Sequence, residues 1–279
     1  MLEFIKALFL GIVQGITEWL PVSSTGHMIL FDEFVKLNVS DEFMSMFRVV
    51  IQFGSILAVL LLYFDRLNPW SSHKSAEEKH RTWGFLGRIV IAVIPAGVIG
   101  VLFDDYDFLD KYLYNYIVVA AALVIYGILF IIIERKQEGH TYKYVSAEDI
   151  DTKTAFKIGC FQLLSLIPGT SRSGSTIIGA MCVDVSRTAA AEFSFFLAIP
   201  VMLGASLLKI LKYVLDFGLA FTGTEIMTLI VGTVTAFAVS LIAVKFLINF
   251  VRRHSFESFG WYRIVLGVIV LGYFIIGNI

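Results

Sequence analysis

Residues that could carry chemistry are concentrated between positions 14 and 27. The members of this first polar cluster are Gln14, Glu18, Ser23, Ser24, Thr25, Gly26 and His27. Gln14 and Glu18 are four residues apart, so on a helix they share a face. A carboxylate beside a carboxamide suits a hard divalent cation, Mg²⁺ or Ca²⁺, that keeps several of its waters. Gln14 and Glu18 are therefore predicted to hold a metal ion, with Ser24 and His27 close by.

A second polar cluster follows in the other half of the chain. It consists of Pro168, Gly169, Thr170, Ser171, Arg172, Ser173 and Gly174. Glycines and hydroxyls just before a helix favour an anion nest, because backbone donors and the positive helix end point into one concavity. Arg172 can clamp phosphate oxygens through two parallel hydrogen bonds. Phosphate binding is predicted for the small residues of both clusters: Ser23, Thr25, Gly26, Gly169, Thr170, Ser171, Ser173 and Gly174.

Together the clusters supply the groups used in phosphoryl transfer, in which positioning and charge neutralisation do most of the catalysis. Glu18, Ser24, His27 and Arg172 are the predicted catalytic residues. Ser24 is the preferred nucleophile, with His27 and water as alternatives, and either His27 or Glu18 could be its base. A site within apolar segments further predicts a substrate whose tail lies in lipid.

Structural explanations compete with these roles. The serines could merely cap helices, Glu18 could pair with a buried base, and Arg172 could extend to the membrane interface. Ionisable groups inside membrane segments are costly, however, and usually functional. Weaker candidates are Glu192, near a helix start, and the pair Arg48 and Gln52, which could line a cavity.

The composition indicates a membrane protein. The chain is 57% hydrophobic and 16% charged, with a mean hydropathy of +0.80, whereas soluble domains carry about 25% charged residues. A net charge of −1 provides no field for nucleic acid, so no such partner is expected. Cys160 and Cys182 are interpreted as small buried apolar residues.

Six apolar segments are long enough, or nearly so, to cross a bilayer as helices. They are Phe43–Phe64, Leu86–Phe103, Tyr114–Ile133, Ala189–Leu211, Ile226–Phe250 and Trp261–Ile276. Two regions instead pair short apolar runs around a polar break, and Pro21 is expected to end the helix before the first break. Since such a break cannot face lipid, both regions are predicted to be re-entrant helix–loop–helix hairpins.

The order of these segments predicts an all-α integral membrane protein built from an inverted-topology repeat. One membrane domain, 1–279, contains a first repeat at 1–134 with its hairpin at 1–36, and a second repeat at 155–279 with its hairpin at 155–186. A shift of 148 positions places Phe43–Phe64 on the Ala189–Leu211 span. Folds of this kind hold their site near the midplane, where broken helices meet.

The basic residues predict the orientation of the helices. Loops 65–85 and 134–157, Arg187, and the Arg252–Arg253 pair carry most of the lysines and arginines between spans and are assigned to the cytoplasm. The first hairpin would then enter from the outside and the second from the cytoplasm.

The motifs Gln14-x-x-x-Glu18 with Pro21-Val-Ser-Ser-Thr-Gly-His27, and Pro168-Gly-Thr-Ser-Arg-Ser-Gly174, closely resemble the two signatures of the bacterial undecaprenyl-diphosphatase family, the bacitracin-resistance type. The resemblance covers essentially the whole chain. It implies a plasma-membrane enzyme that converts undecaprenyl diphosphate to undecaprenyl phosphate, the lipid carrier of cell-wall synthesis. It also implies dependence on a divalent cation, a site that opens to the outer face, and essential roles for Glu18, Ser24, His27 and Arg172.

Gln14 stands where many members of that family have glutamate, so metal binding through a charge at this position is left open. A homodimer is left open as well. The main rival function is a lipid transporter or flippase, because fold does not fix function. A non-catalytic scaffold would leave both clusters unexplained. Thr25-Gly26-His27 superficially resembles a motif of vanadium-haloperoxidase-like lipid phosphatases, but their Lys…Arg-Pro motif is missing.

Overall fold

The computed structural model describes residues 1–32, 35–104, 113, 115–218 and 221–277. The regular secondary structure of these residues consists of helices. In chain order they are α1 (Leu2–Thr17), α2 (Ser24–Asp32), α3 (Asp41–Leu62), α4 (Phe64–Leu67), α5 (Ala76–Asp104), α6 (Tyr116–Lys136), α7 (Thr152–Gln162), α8 (Arg172–Cys182), α9 (Arg187–Phe217), α10 (Gly223–Val251) and α11 (Glu257–Gly277). Short 3-10 turns at Ala147–Asp149 and Leu163–Leu166 flank α7. These described residues form no strand beyond one isolated bridge, so the predicted all-α class is confirmed.

Six of these helices, α3, α5, α6, α9, α10 and α11, are long and apolar enough to span a membrane, which confirms the predicted multi-pass protein. The predicted ends are less accurate. α5 begins at Ala76 rather than Leu86, because the Ser75 hydroxyl accepts from Glu78 N–H while the Glu78 carboxylate accepts from Ser75 N–H. Because of this reciprocal cap, the helix begins in the charged segment that precedes the apolar run.

Two pairs of short helices, α1 with α2 and α7 with α8, occupy the regions predicted to be hairpins. α1 ends at Thr17, earlier than the predicted Leu20, and a first turn (residues 18–23) leads into α2. The break therefore begins before Pro21, whose ring disfavours helix at Leu20. A second turn (residues 167–171) leads into α8. Re-entry of either pair into a bilayer stays a prediction.

The two turns end in the same local geometry. Ser23 and Ser171 lie 148 positions apart, and both have left-handed backbones with φ of 72° and 71°. The Ser23 hydroxyl accepts from Gly26 N–H at 3.1 Å, and the Ser171 hydroxyl accepts from Gly174 N–H at 3.2 Å. Each serine thus caps the short helix that follows it. Non-glycine residues rarely adopt this conformation, and such strain is concentrated at functional sites.

Helices of the first half of the chain pack against helices of the second half. α1 packs against α10 and α7 packs against α5, while α3 pairs with α9 and α6 with α11. A Cβ atom on Gly11 would lie 2.7 Å from the Gly232 carbonyl oxygen, and one on Gly159 would lie 2.1 Å from that of Ala92. Both short helices therefore approach their partners through a glycine. Inversion of the halves across a bilayer stays a prediction.

Ion pairs connect the basic segments at one end of the bundle. Arg66 binds Glu148 and also Glu192, the latter at 3.0 Å, and Arg187 binds Glu134 at 2.6 Å. Burial opposes the charge of Glu148, but hydrogen bonds from Ser146 and Arg66 outweigh it and lower the pKa of Glu148. Apart from Glu192, which lies in the predicted Ala189–Leu211 span, these residues belong to segments predicted to be cytoplasmic.

The interpretation of both cysteines as buried residues was wrong. Cys160 is half-buried, and Cys182 is exposed because it is the last residue of the short helix α8.

Candidate active site

The centre of the candidate site is an ion pair between the two short-helix pairs. Glu18 directly follows α1, and Arg172 is the first residue of α8. Arg172 Nη2 donates to Glu18 Oε1 at 3.2 Å, and the two side chains are only 11% and 6% exposed. Arg172 Nη1 also donates to the Ser194 carbonyl at 2.8 Å. Arg172 is therefore buried in the bundle and does not extend to the interface.

The second oxygen of Glu18 joins the remaining members of the first cluster. Gln14 Nε2 donates to Glu18 Oε2 at 2.9 Å, and Ser24 Oγ donates to the same oxygen at 3.3 Å. The predicted helical spacing places Gln14 and Glu18 side by side, and the first turn returns the chain so that Ser24 faces the same carboxylate. Glu18 thus links a carboxamide, a hydroxyl and a guanidinium.

Ser24 occupies the start of a helix. It is the first residue of α2, and its side chain is partly exposed. Although the Gly26 N–H already donates to Ser23, the start of a helix and its dipole favour an anion at this end. Thr25 and Gly26 lie in the same turn of α2.

His27 lies beside the other catalytic candidates, but its hydrogen bonds are to different partners. Its Nδ1 atom is 2.7 Å from the Ser23 carbonyl oxygen, and its Nε2 atom is 2.6 Å from the Tyr262 hydroxyl. A carbonyl only accepts, so Nδ1 carries the proton and Nε2 accepts from Tyr262. Of the two bases considered for Ser24, Glu18 is the one to which its hydroxyl is hydrogen-bonded.

Two hydroxyls of the second cluster bond to backbone carbonyls, Ser173 to the first turn and Thr170 to the segment that leads into its own turn. Ser173 Oγ lies 3.3 Å from the carbonyl oxygens of both Glu18 and Leu20, and Thr170 Oγ1 donates to the Leu164 and Ile167 carbonyls at 2.8 Å. Ser173 and Thr170 are buried. Both hydroxyls thus have a structural role, and phosphate binding by them stays a prediction.

Gly169 is required by its surroundings. It has a φ of +94°, and a Cβ atom here would lie 2.6 Å from the Val119 carbonyl oxygen. Only glycine combines this backbone conformation with so close a contact. Ser171 and Gly174 are engaged in the helix cap described above, so phosphate contact by the three residues also stays a prediction.

Arg263 is a residue that the sequence analysis missed. It is 0% exposed and donates to the Pro21 carbonyl at 3.0 Å, to Gly169 at 2.8 Å and to Thr170 at 3.0 Å. It therefore binds the first turn to the second. A single arginine within an apolar span was the available signal, since such residues are rarely tolerated without a role. Tyr262, its neighbour, gave no comparable signal.

The weaker candidates have different outcomes. Glu192 belongs to the ion-pair network of Arg66 and lies outside the contacts of Glu18. The cavity-lining role of Arg48 and Gln52 stays a prediction.

The donor atoms around Glu18 fit a divalent cation that takes few of its ligands from the protein. The part of the chain that the structure describes contains no group of three or more histidine, cysteine or acidic residues able to form a complete metal cage. Gln14, Glu18 and Ser24 offer one amide, one carboxylate and one hydroxyl. Mg²⁺ in phosphoryl-transfer sites commonly takes one or two carboxylates, with waters and substrate phosphates as its other ligands. The residues therefore fit a cation that binds together with a diphosphate.

Known proteins resemble this chain over almost its whole length. It is 57% identical to undecaprenyl-diphosphatase 1 of Clostridioides difficile, over 98% of this chain and 97% of the relative. The undecaprenyl-diphosphatase of Acetivibrio thermocellus is 54% identical over 99% of both chains. That of Enterococcus faecalis is 53% identical over 97% of both. Residues 7–269 match the family model described as Bacitracin resistance protein BacA, so this chain belongs to that family.

Proposed function

We propose that this protein is a membrane-embedded phosphatase that converts undecaprenyl diphosphate to undecaprenyl phosphate, which is reused as the lipid carrier of cell-wall synthesis. Family membership and the names of the relatives support the substrate and the reaction. The observation that carries the chemistry is the carboxylate of Glu18, which is hydrogen-bonded to the Ser24 hydroxyl and to the Arg172 guanidinium. One site thereby combines a nucleophile, a base and a fixed positive charge.

In the first step, Ser24 Oγ attacks the terminal phosphorus and Glu18 accepts the Ser24 proton. The new O–P bond forms as the bond to the bridging oxygen breaks, and that electron pair leaves on undecaprenyl phosphate. In the second step, water attacks the phosphorus of the phosphoserine and the Ser24 Oγ–P bond breaks. Protonated Glu18 returns its proton to Ser24 Oγ, and inorganic phosphate leaves with both protons of the water. A carboxylate paired with Arg172 is a weak base, but a loose phosphoryl-transfer transition state needs little help from a base.

Charge on the phosphoryl oxygens is stabilised by groups that are already in place. α2 begins at Ser24 and α8 begins at Arg172, so the positive ends of both helices and one guanidinium meet at the site. On substrate binding, Arg172 can share its donors between Glu18 and phosphate. His27 is a positioning residue, because its Nδ1–H holds the Ser23 carbonyl next to the nucleophile.

A divalent cation, Mg²⁺ or Ca²⁺, would be held by Glu18 and by the amide oxygen of Gln14, after rotation of the amide that now donates to Glu18. Bound there, it would neutralise charge on the diphosphate and its leaving group.

The site is proposed to open to the external face of the bacterial plasma membrane. The loops joined by Arg66, Arg135 and Arg187 lie together at one end of the bundle, and lysine- and arginine-rich loops stay in the cytoplasm.

To test this orientation, single cysteines would be introduced beside Lys136 and at Lys36 after Cys160 and Cys182 are replaced by alanine. An impermeant maleimide should label only the Lys36 position in intact cells, and labelling beside Lys136 would reverse the orientation.

The test of the reaction is phosphate release from undecaprenyl diphosphate by the purified protein, with and without a chelator. We expect release that the chelator stops and that added Mg²⁺ or Ca²⁺ restores. Failure to release phosphate under any of these conditions would refute the proposed function. Transport alone is not favoured, because the relatives are named for diphosphatase activity. A homodimer remains a prediction that chemical cross-linking in native membranes can test.

A further inference from the structure

An apolar groove begins at the His27–Tyr262 hydrogen bond. It is a cavity of about 340 Å³ between the end of α1, α10 and α11. Leu20, Phe246, Phe250 and Phe259 form much of its wall. Three of these residues are aromatic, so the groove offers a broad apolar surface with a polar end.

The lining excludes a charged ligand. No lysine, arginine, aspartate or glutamate is among the residues that line the groove. Of the two hydroxyl residues besides Tyr262, Thr17 donates its hydroxyl to the Val13 carbonyl at 2.7 Å, and Ser258 is exposed at the mouth. Sites for small molecules are typically apolar with a few polar groups that fix orientation. The groove therefore suits a hydrocarbon whose polar end lies near His27.

The groove is open on one side. Phe246 is 52% exposed and Tyr262 is 47% exposed, although both lie in helices that are apolar enough to span a membrane. The open side consequently faces the region that lipid would occupy. A long chain can enter there without crossing the bundle.

The groove also lies next to the candidate active site. Thr17 and Leu20 lie on either side of Glu18 in the chain and line the groove, and His27 contacts the turn that carries Ser24. A substrate whose diphosphate binds at Glu18 and Arg172 would thus have an apolar surface near its phosphate group.

We propose that this groove binds the first isoprene units of the lipid substrate, a proposal that rests on the proposed function. Hydrocarbon moved from lipid into an apolar groove gains little hydrophobic free energy, because lipid tails are as apolar as the wall. The groove therefore acts by orientation: it aligns the diphosphate with Ser24, and misalignment is costly in rate.

Photolabelling tests the occupant directly. A farnesyl diphosphate analogue with a diazirine on its first isoprene unit would be irradiated with the protein in nanodiscs, and the modified peptides would be mapped by mass spectrometry. We expect labels at 246–250 and 258–262, and loss of these labels when excess undecaprenyl diphosphate is added. Labels confined to other helices, or labels that undecaprenyl diphosphate does not displace, would overturn the assignment.

A matched pair of variants tests its importance. Ser258→Trp narrows the mouth at an exposed position, whereas Ile242→Trp places the same side chain on α10, at a site 71% exposed and outside the groove. Ser258→Trp should lower groove labelling and kcat/KM for undecaprenyl diphosphate at least tenfold, and Ile242→Trp should change neither. Equal groove labelling and equal kcat/KM for Ser258→Trp and the wild type would overturn the proposal.

Folding and the reaction are controlled in the same samples. The unfolding temperature of Ser258→Trp must equal that of the wild type. If it is lower, Ser258→Leu, which carries a smaller side chain, is used instead. Wild-type protein that takes up label in the groove but releases no phosphate would refute the proposed function alone. Phosphate release without groove labelling would refute only the groove.

Discussion

Arg172 and Glu18 form a buried ion pair of 3.2 Å, although they lie 154 positions apart in the chain. Each comes from a different half of the chain, and each lies where a short helix meets a turn. Desolvation makes a buried charge costly unless its partner is retained. The pair therefore couples the structure of the site to its chemistry, because a change in either residue leaves the other charge buried and unpaired.

Arg172→Lys should keep the positive charge but lose activity. Lysine is a point charge and cannot reach both Glu18 and the Ser194 carbonyl with a planar fork, as Arg172 does. We expect kcat to fall at least ~100-fold, measured as phosphate release. Arg187→Lys is the control, since Arg187 pairs with Glu134 outside the site. Comparable losses in both variants would show that Arg172 has no special role.

Gln14 and Glu18 should respond differently to exchange of amide and carboxylate. If Gln14 supports a cation through a neutral oxygen, Gln14→Glu should retain activity and tighten cation binding. Glu18→Gln removes the carboxylate that is hydrogen-bonded to Ser24 and paired with Arg172, and turnover should be abolished. Cation titrations of phosphate release measure both effects. Equal loss in the two variants would contradict the division of roles.

The short polar clusters predicted much of the candidate site. Spacing alone put Gln14 and Glu18 on one face, and Pro-Gly breaks located both turns. The partner of Arg172 could not be found in this way, because no acidic residue is near it in sequence. Contacts between halves depend on how helices pack, and a local pattern carries no such information.

The same limit applies to His27 and to the helix ends. The sequence placed His27 near Ser24, but its hydrogen bond to Tyr262 joins residues 235 positions apart. Helix starts were displaced where charged residues extend a helix beyond its apolar part, as at Ala76 in α5. A hydropathy pattern locates the apolar segment of a helix, whereas the helix itself begins at its capping residue.

Arg263 should be essential to the fold of the site. Arg263→Met removes the donor to three buried carbonyls, those of Pro21, Gly169 and Thr170. Unpaired buried acceptors are costly, and we expect a loss of at least about 2 kcal/mol in unfolding free energy, although hydrogen bonds in membrane proteins are often weak. Denaturant unfolding in detergent measures it. Arg253→Met, at an exposed position in the loop before α11, is the control and should change little.

Glu148 should make stability depend on pH. Its folded pKa is lowered from the ordinary value of 4.5, so its contribution is complete above that value and is lost as pH falls through the folded pKa. Glu148→Gln should lower unfolding free energy at pH 7 by roughly 1 kcal/mol, since the pair with Arg66 is partly exposed. The difference from wild type should shrink below pH 4.5, the unfolded value of this carboxyl group. Glu138→Gln, at an exposed position, serves as the control, and a difference that persists at low pH would contradict the assignment.

Ser24 should be the nucleophile, so its replacement should abolish turnover without abolishing substrate binding. Ser24→Ala removes the attacking oxygen but leaves the Glu18–Arg172 pair, so we expect turnover to fall at least ~1,000-fold while substrate still binds. His27→Ala should also lose activity, because the Ser23 carbonyl would lose its donor. Tyr262→Phe keeps the ring but removes the partner of His27 Nε2, and a milder loss is expected. Rapid acid quenching should trap an acid-stable phosphoryl group on Ser24. A phosphoryl group on His27 that survives an alkaline quench but not an acid quench, or substantial turnover by Ser24→Ala, would assign the attack to His27 or to water.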